Sequence, residues 1–294
     1  MNAEPQWFVW IESAAYYWSE YMPIKRERLK IMVKGLDHPG AIAIERSGNI
    51  WAGGEAGQLY RISPSGKKVE HMATAGGPVT CLALAPSGTW MAVGDRAGGL
   101  VRLDLATMEM KPIPEFSGVA GGACFFPDGR LLVTERSDPK KGRLLLFDLP
   151  DPMRELKVGP LADPCGLALN AECTSLFIAC RLMPGILLLP VEMGIPTRAQ
   201  PFVKMRNVLP EAIVMDHRSN LYIGCHSPTR IFKVAPDKWV TVHIEDLPME
   251  VLSQPVGLAW TGKGFDFIIA ANRGGHHLTS IDMRQVGLGT VNQR

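Results

Sequence analysis

An excess of charge of either sign is nearly missing from this 294-residue sequence: 31 Lys and Arg face 29 Asp and Glu, a formal balance of +2. A balance so close to neutral gives no electrostatic footprint for nucleic acid. The six cysteines, at positions 81, 124, 165, 173, 180 and 225, include no CxxC pair and sit mostly inside apolar runs. They read as buried small hydrophobes, not as a disulfide framework. Nowhere do eighteen apolar residues run uninterrupted, so no transmembrane helix is expected. The first residues carry no basic stretch ahead of their apolar ones, so no secretory leader is read, and free thiols then point to the reducing cytoplasm. There is no GxGxxG and no phosphate loop, which leaves nucleotide chemistry without support.

What the sequence does have is punctuation and repetition. Thirty glycines and 23 prolines are too many for a helical protein and suit a fold built of turns. The stretch 210–237, PEAIVMDHRSNLYIGCHSPTRIFKVAPD, holds short apolar runs separated by polar turns, the pattern of an antiparallel meander. Equivalent phrases open at Pro39, Pro78, Val119, Pro164, Pro210 and Pro255, at intervals of 39, 41, 45, 46 and 45 residues. Six units of this length, each with a few short strands, predict an all-β fold: a six-bladed β-propeller of four-stranded antiparallel blades.

Residues 1–28 fall outside the repeats as an aromatic-rich arm, with Trp7, Phe8, Trp10, Tyr16, Tyr17, Trp18 and Tyr21 crowded into it. Such a segment packs on the propeller or on a second copy of the chain, a homo-oligomer contact, or lids the channel or meets a membrane surface. Residues 29–294 form the single propeller domain. Its last repeat runs out after about three strands near Asp282, while Leu29–Val33 reads as a strand with no blade of its own. The N-terminal strand is therefore expected to complete the sixth blade and close the ring, which removes exposed sheet edges.

Two rings of side chains are predicted at one mouth of the channel. The entrances of the innermost strands give Gly40, Val79, Ala120, Cys165, Glu211 and Val256; the exits of the second strands give Glu55, Asp95, Arg136, Arg181, His226 and Asn272. Antiparallel connection brings both to the same face. Surface loop polarity accounts for part of the second ring. Yet Glu211, His226, Glu55 and Asp95 together offer general bases, and Arg136 and Arg181, with Asn272 and Cys165, offer groups that hold a substrate. Of His276 and His277, neighbours on a strand, at most one can face the mouth.

The phrases PCGLAL, PEAIVMDHRSNLYIG and PVGLAW, with SGNIWAGG in the first unit, resemble the regucalcin and gluconolactonase family of six-bladed propellers over residues 36–282. The wider strictosidine-synthase-like group shares the same blade grammar. The resemblance implies one divalent metal, often calcium, at the channel mouth, and hydrolysis of sugar lactones or other small esters. Carried over residue by residue, the family's metal-binding Glu falls on Gly40, its Asn on Cys165 and its Asp on Glu211. Only the last keeps a carboxylate, and calcium wants six to eight oxygen ligands. Three outcomes stay open: Glu55 or Asp95 joins Glu211 to restore an oxygen-rich site; Cys165, Glu211 and His226 take a softer ion such as zinc or iron; or no metal is bound.

Two functions follow. The first is a lactonase-like hydrolase of a small cyclic ester. With a metal, Glu211 ligates, Glu55 or Asp95 activates water and His226 relays or orients. Without one, Glu211 and His226 run the acid and base chemistry, and Arg136 or Arg181 stabilises the oxyanion. The alternative is a non-catalytic propeller that binds a small ligand or a protein on its charged mouth.

Overall fold

Short alternating runs fold into hairpins wherever a polar turn separates them, and six such meanders make six antiparallel sheets arranged as a six-bladed β-propeller. The computed structural model describes residues 23–149, 151–182, 185–290 and 292–293. The aromatic arm lies, up to residue 22, outside the described residues. Among the described residues helix is limited to the single 3-10 turn Arg26–Arg28, and no helix is long and apolar enough to cross a membrane.

Each blade runs from the axis outward in sequence order. The first blade is Ala41–Ile44, Ile50–Gly53, Gln58–Ile62 and Val69–Thr74, and the next four repeat the pattern. The fourth blade adds a small hairpin in which Ile195–Pro196 pairs with the end of Gly185–Glu192. In the sixth, Pro255–Thr261, Phe267–Asn272 and His277–Asp282 are completed by Leu29–Lys34, which pairs antiparallel with His277–Asp282. Arg28 adds a hydrogen bond to the carbonyl of Asp282. The ring therefore closes through the N-terminal strand, as its sequence predicts.

The core is six seams and not one centre. Every apolar cluster draws on two neighbouring blades: Ala41, Ala43 and Trp51 of the first meet Leu82, Leu84 and Met91 of the second, and so on round the ring. Because alternate residues of a strand point to opposite faces, Cys81 and Ala83 face the third blade while Leu82 and Leu84 face the first. Burial on both faces explains why the innermost strands read as unbroken apolar runs. Among the described residues the six cysteines form no disulfide, and four of them are buried.

The axial cavity has a volume of about 190 Å³. Its far end is crossed by the C-terminal segment. Gly287 bridges to Asp216, Leu288 N–H donates to Met215 O (2.9 Å), Asn292 Nδ2 to Ile44 O (3.0 Å) and Gln293 Nε2 to Trp260 O (3.1 Å). This cross-tie over three blades has no signature in the repeats.

His243, beside Tyr222 in the fifth blade, is buried with Nε2 unpartnered. Desolvation, aided by Lys233 and Arg28, lowers its pKa from 6.5 to about 3. Between those values the unfolded chain binds a proton that the folded chain refuses, so stability falls as pH drops below about 6.5. Urea unfolding at pH 7, 5.5 and 4.5 should show that loss, and His243→Phe should make the decline shallower; an unchanged slope contradicts the assignment.

Candidate active site

Five innermost strands open with a register shift, and the shift decides what faces the axis. In the fifth blade Pro210 pairs with Cys225 and Ala212 with Gly224, so Glu211 is the extra residue of a β-bulge. The same irregularity follows Val79, Ala120, Pro164 and Pro255. A bulge re-aims one side chain, and a one-residue slip exchanges the two faces of a strand. The ring lining the cavity is consequently Gly40, Thr80, Gly121, Gly166, Glu211 and Val256. Val79, Ala120 and Cys165, expected there from the sequence, are instead fully packed away. The room is tight: a Cβ on Gly166 would lie 2.5 Å from the Glu211 carbonyl oxygen, so only glycine fits beside the bulge.

Glu211 is buried and faces three guanidinium groups. Its Oε1 lies 3.5 Å from Arg181 Nε and 3.8 Å from Arg273 Nη1, and its Oε2 lies 4.0 Å from Arg136 Nη1. These separations are ion pairs, longer than hydrogen bonds. Asp163, in the left-handed region at φ 53° just before Pro164, anchors the cluster from the other side. It sits 2.7 Å from Arg136 Nη2 and 3.7 Å from Arg181 Nη1, and its carbonyl accepts from Arg181 N–H. Among the described residues, buried side-chain polar atoms that lack a hydrogen-bond partner gather here: Arg181 Nε, Glu211 Oε1, His226 Nδ1 and Arg273 Nε. Unsatisfied groups gathered at a cavity mouth mark a site built to be completed by something else.

His226 is half-buried. Desolvation lowers its pKa, with Glu211 opposing and Arg181 and Arg273 adding to the effect, so it is a neutral imidazole at neutral pH. The Cys165 thiol accepts a hydrogen bond from Arg136 Nη1 (2.9 Å). Burial first, then the charge of Glu211, pushes its pKa well up, which keeps it protonated. A protonated, enclosed thiol is a poor nucleophile as it stands.

The second expected ring is only partly assembled. Arg136, Arg181 and His226 join Glu211. Glu55 is exposed beside Asp37, whose carbonyl accepts its N–H (3.1 Å), and it makes none of the cluster's contacts. Asp95 is buried as a turn cap, its two oxygens accepting from Gly76 N–H and Gly99 N–H (3.1 Å each). Asn272 is wholly enclosed, accepting from Ser253 N–H (2.9 Å) and donating to Thr279 Oγ1 (3.0 Å). The reason is a slip of one position. The residues whose N–H reaches back to the preceding inter-blade link are Glu55, Arg96, Arg136, Arg181 and Arg273. Arg96 and Arg273 thus occupy the places assigned to Asp95 and Asn272. Arg273, missed in the sequence, lies over Gly40: a Cβ there would be 2.7 Å from its Nη2.

These residues do not fit the divalent metal that the family resemblance implies. The position of one carboxylate ligand is a glycine, the amide position is a protonated thiol, Glu55 is exposed outside the cluster and Asp95 is committed as a turn cap. Three guanidiniums against two carboxylates leave the mouth positive, which repels a dication and attracts an anion.

No family model and no curated protein matches the sequence. Solved structures match throughout. A gluconolactonase from Xanthomonas campestris superposes with a TM-score of 0.73 at 12% identity, covering 86% of this chain and 89% of that one. A calcium-binding regucalcin from Agrobacterium tumefaciens gives 0.72 at 13% identity, covering 90% and 95%. An auxiliary nutrient binding protein from Bacteroides thetaiotaomicron gives 0.70 at 12%, covering 84% and 69%. The protein has the six-bladed propeller fold of gluconolactonase-like and regucalcin-like proteins.

Placement predicts stability. Asp163→Asn strips the anchor from two largely buried guanidiniums and should cost about 3 kcal/mol in urea unfolding. Glu55→Gln, at an exposed site, should stay within about 0.5 kcal/mol. Equal effects would contradict the geometry.

Proposed function

We propose that the protein is a lactonase-like hydrolase of a small cyclic ester that carries an anionic group, and that guanidiniums do the electrostatic work at its mouth. The observation that carries this reading is the bulge that turns Glu211 toward the axis, with an oxygen that is ion-paired but accepts no hydrogen bond, amid Arg136, Arg181 and Arg273 and beside neutral His226. The gluconolactonase name of a structural neighbour is consistent with it.

In this mechanism the substrate's anionic group pairs with the guanidiniums, which hold carboxylates in fixed geometry. Glu211, with His226 relaying, takes a proton from water as its oxygen adds to the ring carbonyl carbon. Arg181 or Arg273 stabilises the oxyanion that forms. The tetrahedral intermediate collapses with cleavage of the ring C–O bond. The departing alkoxide receives the proton held by Glu211 or His226, and the product is a hydroxy acid.

A second reading, a non-catalytic binder of small anions, is favoured by the same excess of guanidiniums and by the likeness to a nutrient binding protein. Assay of lactones with and without a carboxylate separates the two. The hydrolase reading expects turnover biased toward the anionic members, a kcat/KM that falls with added salt, and a loss of about 10² to 10⁴ in Glu211→Gln. Because the His226 pKa is lowered, the acid limb of kcat/KM should lie below pH 6.5. Full turnover by Glu211→Gln on every accepted substrate removes the mechanism. Binding of the carboxylates without turnover supports the binder.

A further inference from the structure

We propose that Asp37, His38 and His276, none of which pairs with Glu211, form a site for a borderline transition metal such as zinc, placed across the seam where the propeller closes. One donor atom from each residue lies within 4.8 Å of the other two. Zinc bonds of about 2.0 to 2.2 Å set tetrahedral ligands roughly 3.4 Å apart, so modest side-chain rotation completes the contraction. Asp37 Oδ1 and His38 Nδ1 already stand 3.4 Å apart, and the rings of His38 and His276 meet edge to face at 4.2 Å.

Two of the three ligands are held from behind. His276 Nδ1 lies 2.9 Å from Leu36 O. A carbonyl can only accept, so Nδ1 carries the proton and Nε2 keeps the lone pair a metal needs. Asp37 Oδ2 accepts from Ala56 N–H (2.9 Å), which leaves Oδ1 for the ion. His38 adopts φ 41° immediately ahead of Pro39, as Asp163 and Gln254 adopt φ 53° and 52° ahead of Pro164 and Pro255, so its backbone is set by the inter-blade link.

The donor set discriminates among ions. Two imidazoles and one carboxylate suit zinc, and are too few and too soft for calcium. Among the described ion pairs Asp37 has only His38, so no guanidinium competes for the site. Asp37 and His38 are half-buried and His276 is exposed, which gives a hydrated ion an entry path and leaves a fourth position for water.

Location gives the consequence. Asp37 and His38 belong to the link between the closing strand and the first blade, and His276 to the turn before His277–Asp282 in the sixth. Leu36 N–H also donates to His276 O (3.1 Å). An ion there ties the chain's two ends, and binding only the folded state raises stability by mass action.

The test is titration of the chelator-treated full chain with zinc chloride in a calorimeter, followed by thermal unfolding. One equivalent should bind, and a hundredfold excess over Kd should raise Tm by about 5 °C. Zinc affinity should fall at least tenfold in His276→Ala and in His38→Ala, which at the same zinc concentration cuts the rise in Tm to about half or less, with calcium chloride inert in the same assay. Cobalt(II) added to the wild-type chain should give the d–d absorption of a low-coordinate nitrogen and oxygen site, a reading that needs no variant. Absence of zinc binding to the folded chain overturns the proposal, as does zinc affinity unchanged in both variants or a six-coordinate cobalt spectrum. Lactone turnover is independent of this outcome.

Discussion

Six innermost strands can meet round one axis only if what they point inward is very small or is deliberately admitted. That crowding governs the molecule. Glycine stands at Gly40, Gly121 and Gly166 on the inner ring, where an added Cβ on Gly121 would lie 2.1 Å from the Pro164 carbonyl oxygen. Against this background Glu211 is the exception, a carboxylate on the axis because a bulge turns it there. The empty space over Gly40 is in turn where the Arg273 guanidinium rests. Sterics at the axis thus choose both members of the site's central pair.

Electrostatics then sets what the site is for. A pair of unit charges about 4 Å apart is worth about 4 kcal/mol at the effective dielectric of a protein surface. Glu211 meets three cations at such distances, two of them shared with Asp163. A dication entering the mouth gains from two carboxylates and loses to three guanidiniums, whereas an anion does the reverse. The regucalcin neighbour of the same fold is a calcium-binding protein, whereas three guanidiniums line the mouth here, which is the basis of the anionic substrate proposed above.

Much of this was legible in the residues. The intervals between the opening prolines give blade number, the orphan strand Leu29–Val33 gives closure, and the phrase PEAIVM gives Glu211. What escaped was offset by single residues. Bulges exchange Val79 for Thr80, Ala120 for Gly121 and Cys165 for Gly166, because the extra residue in each is invisible to a period-two reading. Asp95 and Asn272 end their strands as acceptors of backbone N–H groups, ordinary chemistry for Asp and Asn at turns, and the arginines that follow them occupy the ring. The signal for Arg273 was present in the sequence Asn-Arg-Gly-Gly, a charged residue ahead of two glycines at a strand exit. Asp163 and the C-terminal cross-tie lie outside the repeated phrases, so no comparison among blades could point to them.

The central claim is that a guanidinium cluster stands where a calcium ion would sit in a metal-dependent propeller of this shape. Calorimetric titration of the folded chain with calcium chloride at physiological ionic strength, in wild type and in Glu211→Gln, tests it most directly. The account predicts no saturable heat in either protein. A one-to-one calcium site in the wild type that disappears with Glu211→Gln would contradict it.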